Sequence, residues 1–281
     1  MKPVVFYFSD GNDRDYLIAS IRSLLENGEA GEPVVFGYEP LDLSVPHRMI
    51  TLPPLELCEF QLGKYRRDVC ISMCMRVAAI DWLAQEGVEK AIYLDTDTVV
   101  LRPLTEIVRF LDGGGVFGGV LDVDEEDTGQ SSGWAGRAAP VVDVNPYVNS
   151  GVLALNVLAL CKSGPLTPKL QTFFERHRRA VYPDQDFLNF IAHDLGVMSV
   201  LPKKFNAMMS RLATMTDTVT YARRIDFILN EAVVAHYAWL KPAMRQTKSA
   251  LFYRLILPYL PEGDLKNSVL KNLDFLHPLA K

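Results

Sequence analysis

The sequence predicts an α/β fold, a mostly parallel sheet covered by helices on both faces, and three observations carry that prediction. Apolar strand-forming runs alternate with segments of helical period. The runs Val4-Val5-Phe6-Tyr7-Phe8 and Ala91-Ile92-Tyr93-Leu94 read as buried strands. Asp10, Asp95 and Asp122 each follow the end of an expected strand, and sites on such sheets lie beyond the carboxyl ends of the strands.

The elements follow in order. After the first strand at 4–8 comes a polar turn and then a helix over about 13–26, where Tyr16, Leu17, Ser20, Leu24 and Leu25 keep a 3.6-residue period. Asn27-Gly28 stops it, 33–38 makes a second strand and 49–52 a third. Residues 69–83 form a helix that is apolar nearly all round, which implies burial on several sides. Strands are expected at 91–94 and 116–121, followed by a polar, Gly-rich segment over 122–136. A strand over 151–155, helices over 167–180 and 184–195, and short strands over 197–200 and 232–236 complete the pattern. The first 244 residues read as one domain and 245–281 as a C-terminal helical extension. In that extension Pro258 and Pro261 break any long amphipathic helix, which favours packing on the core. Its mixture of Leu, Phe and Tyr with Lys and Arg also suits a peripheral contact with the inner membrane.

Composition narrows the function. With 49% hydrophobic and 22% charged residues the chain is an ordinary globular protein, and its net charge of −5 argues against a nucleic-acid binder. The four cysteines follow no zinc-like spacing, and Cys70 and Cys74, one helical turn apart in an apolar run, read as buried thiols. No signal peptide is expected, because the first apolar run is too short, and the uncharged stretch 148–160 is too short to span a bilayer. A cytoplasmic location is expected.

The chemistry centres on Leu94-Asp95-Thr96-Asp97. Side chains two apart on extended backbone point the same way, so Asp95 and Asp97 can converge on one cation. Asp13/Asp15, Asp122/Asp124 and Asp184/Asp186 share the spacing, and position after a strand separates the 95/97 pair from them. Asp10-Gly11-Asn12 is either a turn or a contact to a nucleoside, since neither a dinucleotide fingerprint nor a phosphate-binding loop is present. Arg76 interrupts the apolar helix and needs an anion, which is either a structural carboxylate or a substrate. Asn149-Ser150-Gly151 precedes a strand, and Gly151 admits close approach. Asp184-Gln185-Asp186 suits a helix start, which explains its aspartates but not Gln185. His236 follows an apolar run, and Lys241 can meet a phosphate as a point charge. Two carboxylates and one imidazole suit Mn²⁺ or a similar divalent ion.

Taken in order, Ser9-Asp10-Gly11-Asn12, Tyr93-Leu94-Asp95-Thr96-Asp97, Asn149-Ser150-Gly151-Val152-Leu153, Asp184-Gln185-Asp186 with Leu188-Asn189, and His236 with Lys241-Pro242 resemble the retaining glycosyltransferases of family 8. These include the bacterial lipopolysaccharide galactosyl- and glucosyltransferases and glycogenin. The resemblance implies a GT-A-type, Rossmann-like fold that binds a UDP-sugar with Mn²⁺ (or Mg²⁺) and transfers a hexose to a glycan or lipopolysaccharide-type acceptor. It implies that Asp95, Asp97 and His236 ligate the metal, that Asp10 and Asn12 contact the nucleoside and Lys241 the diphosphate, and that Arg76, Asp122, Asn149, Asp184 and Gln185 surround the sugar. Gln185 matches the family position on the reacting face of that sugar. Two positions depart from the pattern: no glycine lies between His236 and Lys241, which are five residues apart where six is usual, and Asp13 stands where the family commonly has Tyr. Two other readings follow from the same residues. Asp95 and Asp97 resemble the first motif of haloacid-dehalogenase-type phosphohydrolases, whose later acidic pair has only Asp264 as a candidate. The shortened loop before Lys241 suits a sugar-nucleotide-binding protein without turnover.

Overall fold

The computed structural model describes residues 2–58, 61–62, 66–122, 142–209, 218–238, 242 and 249–276. Its strands are β1 (Val4–Phe8), β2 (Val34–Gly37), β3 (Arg48–Thr51), β4 (Gln61–Leu62), β5 (Lys90–Leu94), β6 (Thr98–Val100), β7 (Phe117–Leu121), β8 (Val148–Asn156), β9 (Arg179–Ala180), β10 (Met198–Val200), β11 (Ala207–Met208) and β12 (Val234–His236). Seven of them form the main sheet in the order β10-β7-β8-β5-β1-β2-β3. The pairs β1·β2, β2·β3, β1·β5 and β7·β10 are parallel, and β8 runs antiparallel to both β5 and β7. A second sheet, β11-β12-β6, branches off where β5 passes into β6, and β4 pairs with β9.

Alternation along the central strands explains why their runs are apolar throughout. Phe6, Phe8, Tyr93, Leu153 and Leu155 pack on one face with the helices Arg67–Gln85, Leu166–His177 and Pro183–Asp194. Val5, Tyr7, Ile92, Leu94, Val152 and Ala154 pack on the other with the helices Arg14–Asn27 and Thr105–Asp112. Burial on both faces removes the polar alternate positions that a one-sided sheet would keep. The mostly parallel sheet is therefore as expected, and Cys70 and Cys74 are buried. Asp81, one turn from the end of the Arg67–Gln85 helix, accepts the Leu166 and Thr167 backbone N–H groups at 2.6 and 2.7 Å and so satisfies the N-terminus of the Leu166–His177 helix.

The helix expected over 167–180 stops at His177. Arg178 takes the left-handed conformation (φ 47°), and Arg179–Ala180 becomes strand β9. The C-terminal segment carries helices Ala250–Arg254 and Asp264–Leu276. Its Phe252, Tyr253, Ile256 and Val269 form a third cluster with Tyr16, Val99, Ala235 and Tyr237, on the back of the small sheet. No described helix is long and apolar enough to cross a membrane.

Candidate functional site

One edge of the main sheet gathers the ends of β1, β5 and β7 and, because β8 is reversed, the beginning of β8. Leu121 lies opposite Val148, and Leu94 opposite Val152. Ser9-Asp10, Asp95, Asp122 and Asn149-Ser150 therefore meet around one cavity of about 440 Å³, within the usual range for small-molecule sites. The start of the Pro183–Asp194 helix adds Asp184 and Gln185, the Arg67–Gln85 helix adds Ser72, Met73 and Arg76, and β12 adds His236.

The carboxylate–histidine end lies where the chain leaves one sheet for the other. Asp95 ends β5, with its N–H donating to the Gly151 carbonyl at 2.8 Å, and its own carbonyl accepts from the Thr98 hydroxyl at 2.8 Å. Asp95-Thr96-Asp97 is thus a turn, and this turn rather than extended backbone brings the two carboxylates together. β6 then pairs antiparallel with β12, setting His236 opposite Thr98, and Tyr237 N–H donates to the Asp97 carbonyl at 2.9 Å. His236 Nε2 comes to 3.5 Å from Asp95 Oδ2 and 3.2 Å from Asp97 Oδ1. One ligand atom from each of Asp95, Asp97 and His236 fits within a 4.8 Å spread.

The other Asp95 oxygen is fixed by two donors, the Tyr93 hydroxyl at 2.7 Å and Arg76 Nη2 at 3.0 Å, which leaves Oδ2 turned to the histidine. A Cβ on Gly151 would lie 2.2 Å from His236 Cε1 and 2.8 Å from Asp95 Oδ2, so a bare Cα is required there. Desolvation opposes the charge on Asp95, but Arg76 and His236 outweigh it and hold the carboxyl below its ordinary value. Burial likewise opposes a charged His236, yet Asp97 and Asp95 push it up to about 9. Asp10, Asp13, Asp95, Asp97, Asp122 and Asp184 all line a cavity whose cationic groups, among the described residues, are Arg76 and His236. This excess of carboxylate, with two oxygens and an imidazole nitrogen converging, fits a divalent cation.

The opposite end of the cavity is a buried hydrogen-bond net. Arg76 reaches Asp184 Oδ2 at 3.1 Å and the Ser150 carbonyl at 2.8 Å, and its guanidinium lies 4.4 Å from the centre of the Tyr93 ring. Arg76 is therefore paired with carboxylates and also lines the cavity. Burial lifts the Asp184 carboxyl above its ordinary value against the pull of Arg76. Gln185 Oε1 accepts from the Ser150 N–H at 2.9 Å and Asn149 Nδ2 at 3.1 Å, and Asn149 Nδ2 also donates to Asp122 Oδ1 at 2.9 Å. Asp184 Oδ1 and Gln185 Nε2 are buried without a well-formed hydrogen bond among the described residues, as polar atoms that await a ligand are.

On a helix, unlike on the turn at 95–97, side chains two apart diverge. Asp186 points away from Asp184 and accepts from the Tyr147 hydroxyl at 2.8 Å. Asn189 brackets Val148, accepting its N–H at 2.7 Å and donating to its carbonyl at 2.8 Å, and so anchors the start of β8.

At the far end Asp10 lines the cavity and accepts from the Asn12 N–H at 3.0 Å and the Ser72 hydroxyl at 3.1 Å. The Asn12 side chain is exposed and does not line the cavity, and Asp13 does instead. Lys241, Asp124 and most of the Gly-rich segment lie outside the described residues. Asp264, the late acidic candidate for a phosphohydrolase, opens a C-terminal helix and takes no part in the cavity. No motif points to Asn206, a buried loop residue whose amide meets both His236 and Asn149. A lone asparagine in a loop belongs to no motif, and its partners are remote in sequence.

A family model described as glycosyl transferase family 8 matches residues 48–242, more than half of the chain. No curated protein sequence matches it. Among solved structures, galactosyltransferase LgtC in complex with donor and acceptor sugar analogues superposes with a TM-score of 0.65 at 19% identity, covering 92% of this chain and 97% of that one. Glycosyltransferase GlyE of Streptococcus pneumoniae gives 0.59 at 14% identity, covering 98% of this chain and 64% of that one. Mouse xyloside xylosyltransferase 1 gives 0.52 at 15%, covering 85% and 98%. At these identities the likeness shows the fold, which is that of GT-A glycosyltransferases.

Proposed function

The chain belongs to glycosyl transferase family 8, and from that premise we propose that it moves a hexose from a UDP-sugar to an acceptor hydroxyl, with retention and with the help of a divalent cation. The observation that carries this reading is the convergence of Asp95, Asp97 and His236 at one end of the cavity that also holds Arg76, Asp184 and Gln185. Breaking the anomeric C–O bond leaves negative charge on the departing diphosphate. Asp95, Asp97 and His236 would hold Mn²⁺ or Mg²⁺, which supplies electrostatic stabilisation of that charge.

The chain's own groups then bind and orient the sugar. Asp10 contributes to the nucleoside end, with Asn12 forming its turn. Arg76, Asp122, Asn149 and Asp184 surround the hexose, and the unpartnered Asp184 Oδ1 and Gln185 Nε2 suit its hydroxyls. With Oε1 engaged by the Ser150 N–H and Asn149, Gln185 is suited to donate a hydrogen bond rather than to attack the anomeric carbon. A front-face transfer, in which the leaving phosphate helps take the acceptor proton, is what membership of the family implies. Lys241 is assigned to the diphosphate by its place in the family motif.

The acceptor is proposed to be a glycan or lipopolysaccharide-type glycolipid reached from the cytoplasm. Packing of Phe252 and Tyr253 into the core supports a structural role for the C-terminal helices ahead of a membrane contact. The deciding experiment is Asp97→Ala in a UDP-release assay and a thermal-shift series of nucleotide-sugars with and without Mn²⁺. Loss of Mn²⁺-dependent UDP binding and release is expected. Undiminished metal-dependent binding and release would overturn the metal assignment.

A further inference from the structure

We propose that Asn206 is a positioning residue that sets the ring of His236 for the cation and couples the metal end of the cleft to its sugar end. The inference rests on the metal reading above, and its argument is one of hydrogen-bond direction. The Gly151 backbone N–H donates to Asn149 at 2.9 Å. A backbone N–H can only donate, so the Asn149 atom that meets it is Oδ1. Asn206 also contacts that oxygen, at 2.8 Å, and must therefore turn its Nδ2 toward it. Its remaining atom, Oδ1, then faces His236 Nδ1 at 2.8 Å. An amide oxygen only accepts, so Nδ1 carries the proton. The lone pair available to a metal is thus on Nε2, the nitrogen already aimed at Asp95 and Asp97.

The same chain continues past Asn149. Its Nδ2 donates to Asp122 Oδ1 and to Gln185 Oε1, so every donor from His236 onward points toward the sugar end. One backbone N–H in β8 therefore determines which nitrogen of a histidine, three groups away, is free to ligate. Asn206 is 3% exposed, so its amide is buried together with its two partners. The chain on either side is held as well: Asn206 follows the turn Lys203–Phe205 and precedes β11, whose Met208 pairs with His236.

The test compares wild type, Asn206→Ala and Asn206→Asp in the full chain, with Asp97→Ala as the non-binding control. Mn²⁺ affinity, read by electron paramagnetic resonance without substrate, should fall about ten- to a hundredfold in Asn206→Ala, the usual effect of removing a partner of a ligating histidine. Asn206→Asp keeps an acceptor for Nδ1 and should retain Mn²⁺ affinity. It cannot donate to Asn149, so its affinity for UDP-sugar at saturating Mn²⁺ should fall. Nitrogen-15 histidine spectra of the Mg²⁺-loaded protein supply a readout that a merely structural asparagine would not move. The proton on His236 Nδ1 should be hydrogen-bonded and protected from exchange in wild type and in Asn206→Asp, and should exchange rapidly in Asn206→Ala.

Unchanged Mn²⁺ affinity in Asn206→Ala would overturn the coupling and leave the metal reading intact, whereas a wild-type His236 protonated on Nε2 when loaded would take the histidine out of the ligand set and overturn both. Failure of the wild type itself to bind Mn²⁺ would overturn the metal reading and the coupling with it.

Discussion

The two ends of the cleft are built by different means. At the metal end, Asp95, Asp97 and His236 are delivered by a strand end, a turn and the register of β6 on β12, and a missing side chain at Gly151 lets them close up. At the sugar end, Asp122, Asn149, Ser150, Asp184 and Gln185 hold one another through buried hydrogen bonds. The first arrangement is sensitive to volume, the second to polarity. A change of one methyl group and a change of one amide should therefore fail in different ways.

The largest separation is expected from Gly151→Ala. Its methyl would overlap His236 and Asp95, and losing the several kcal/mol of charge stabilisation that a metal supplies lowers turnover by about a thousandfold. Mn²⁺ binding, measured calorimetrically, should be lost while the protein stays folded; an Ala variant that binds Mn²⁺ normally would erase the contrast. Gln185→Ala should show the opposite pattern. Mn²⁺ affinity stays at the wild-type level, while kcat drops on the order of a hundredfold because the sugar is no longer aligned. Weakened metal binding with kcat preserved would contradict it.

The smallest effect concerns the metal-free protein. His236 is raised from 6.5 to about 9 in the fold, so the stability it contributes is fully present below pH 6.5 and is lost as the pH climbs to 9. In chelator, Tm should decline across that window, and His236→Gln should flatten the decline. Mn²⁺ competes with the same proton, so its affinity should rise over the same range. A wild-type profile already flat in chelator would show that the aspartates do not hold the imidazolium.

Much of this was legible in the sequence, for identifiable reasons. Apolar runs such as Val4–Phe8 announce strands buried on two faces, and carboxylates placed just after them announce a sheet-edge site. Arg76 stood out because an arginine inside an apolar helix requires an acceptor. What stayed hidden depends on contacts between distant residues. Asn206 meets partners 30 and 57 positions away, and the hydroxyls of Tyr93 and Ser72 look like ordinary core and helix positions until the fold closes. The 95–97 pair was found by a rule for extended chain although a turn produces the convergence. The same spacing at Asp184/Asp186 falls on a helix, where the second carboxylate turns inward to Tyr147.

The reversed strand β8 has one further consequence. Its residues alternate between the two faces, so a slip of one position against β5 would exchange Gly151 for Ser150 or Val152 beside His236. Either side chain would fill the gap that the ligating atoms need. On the proposed metal reading, a molecule that captures Mn²⁺ has therefore already paired its central strands in the correct register.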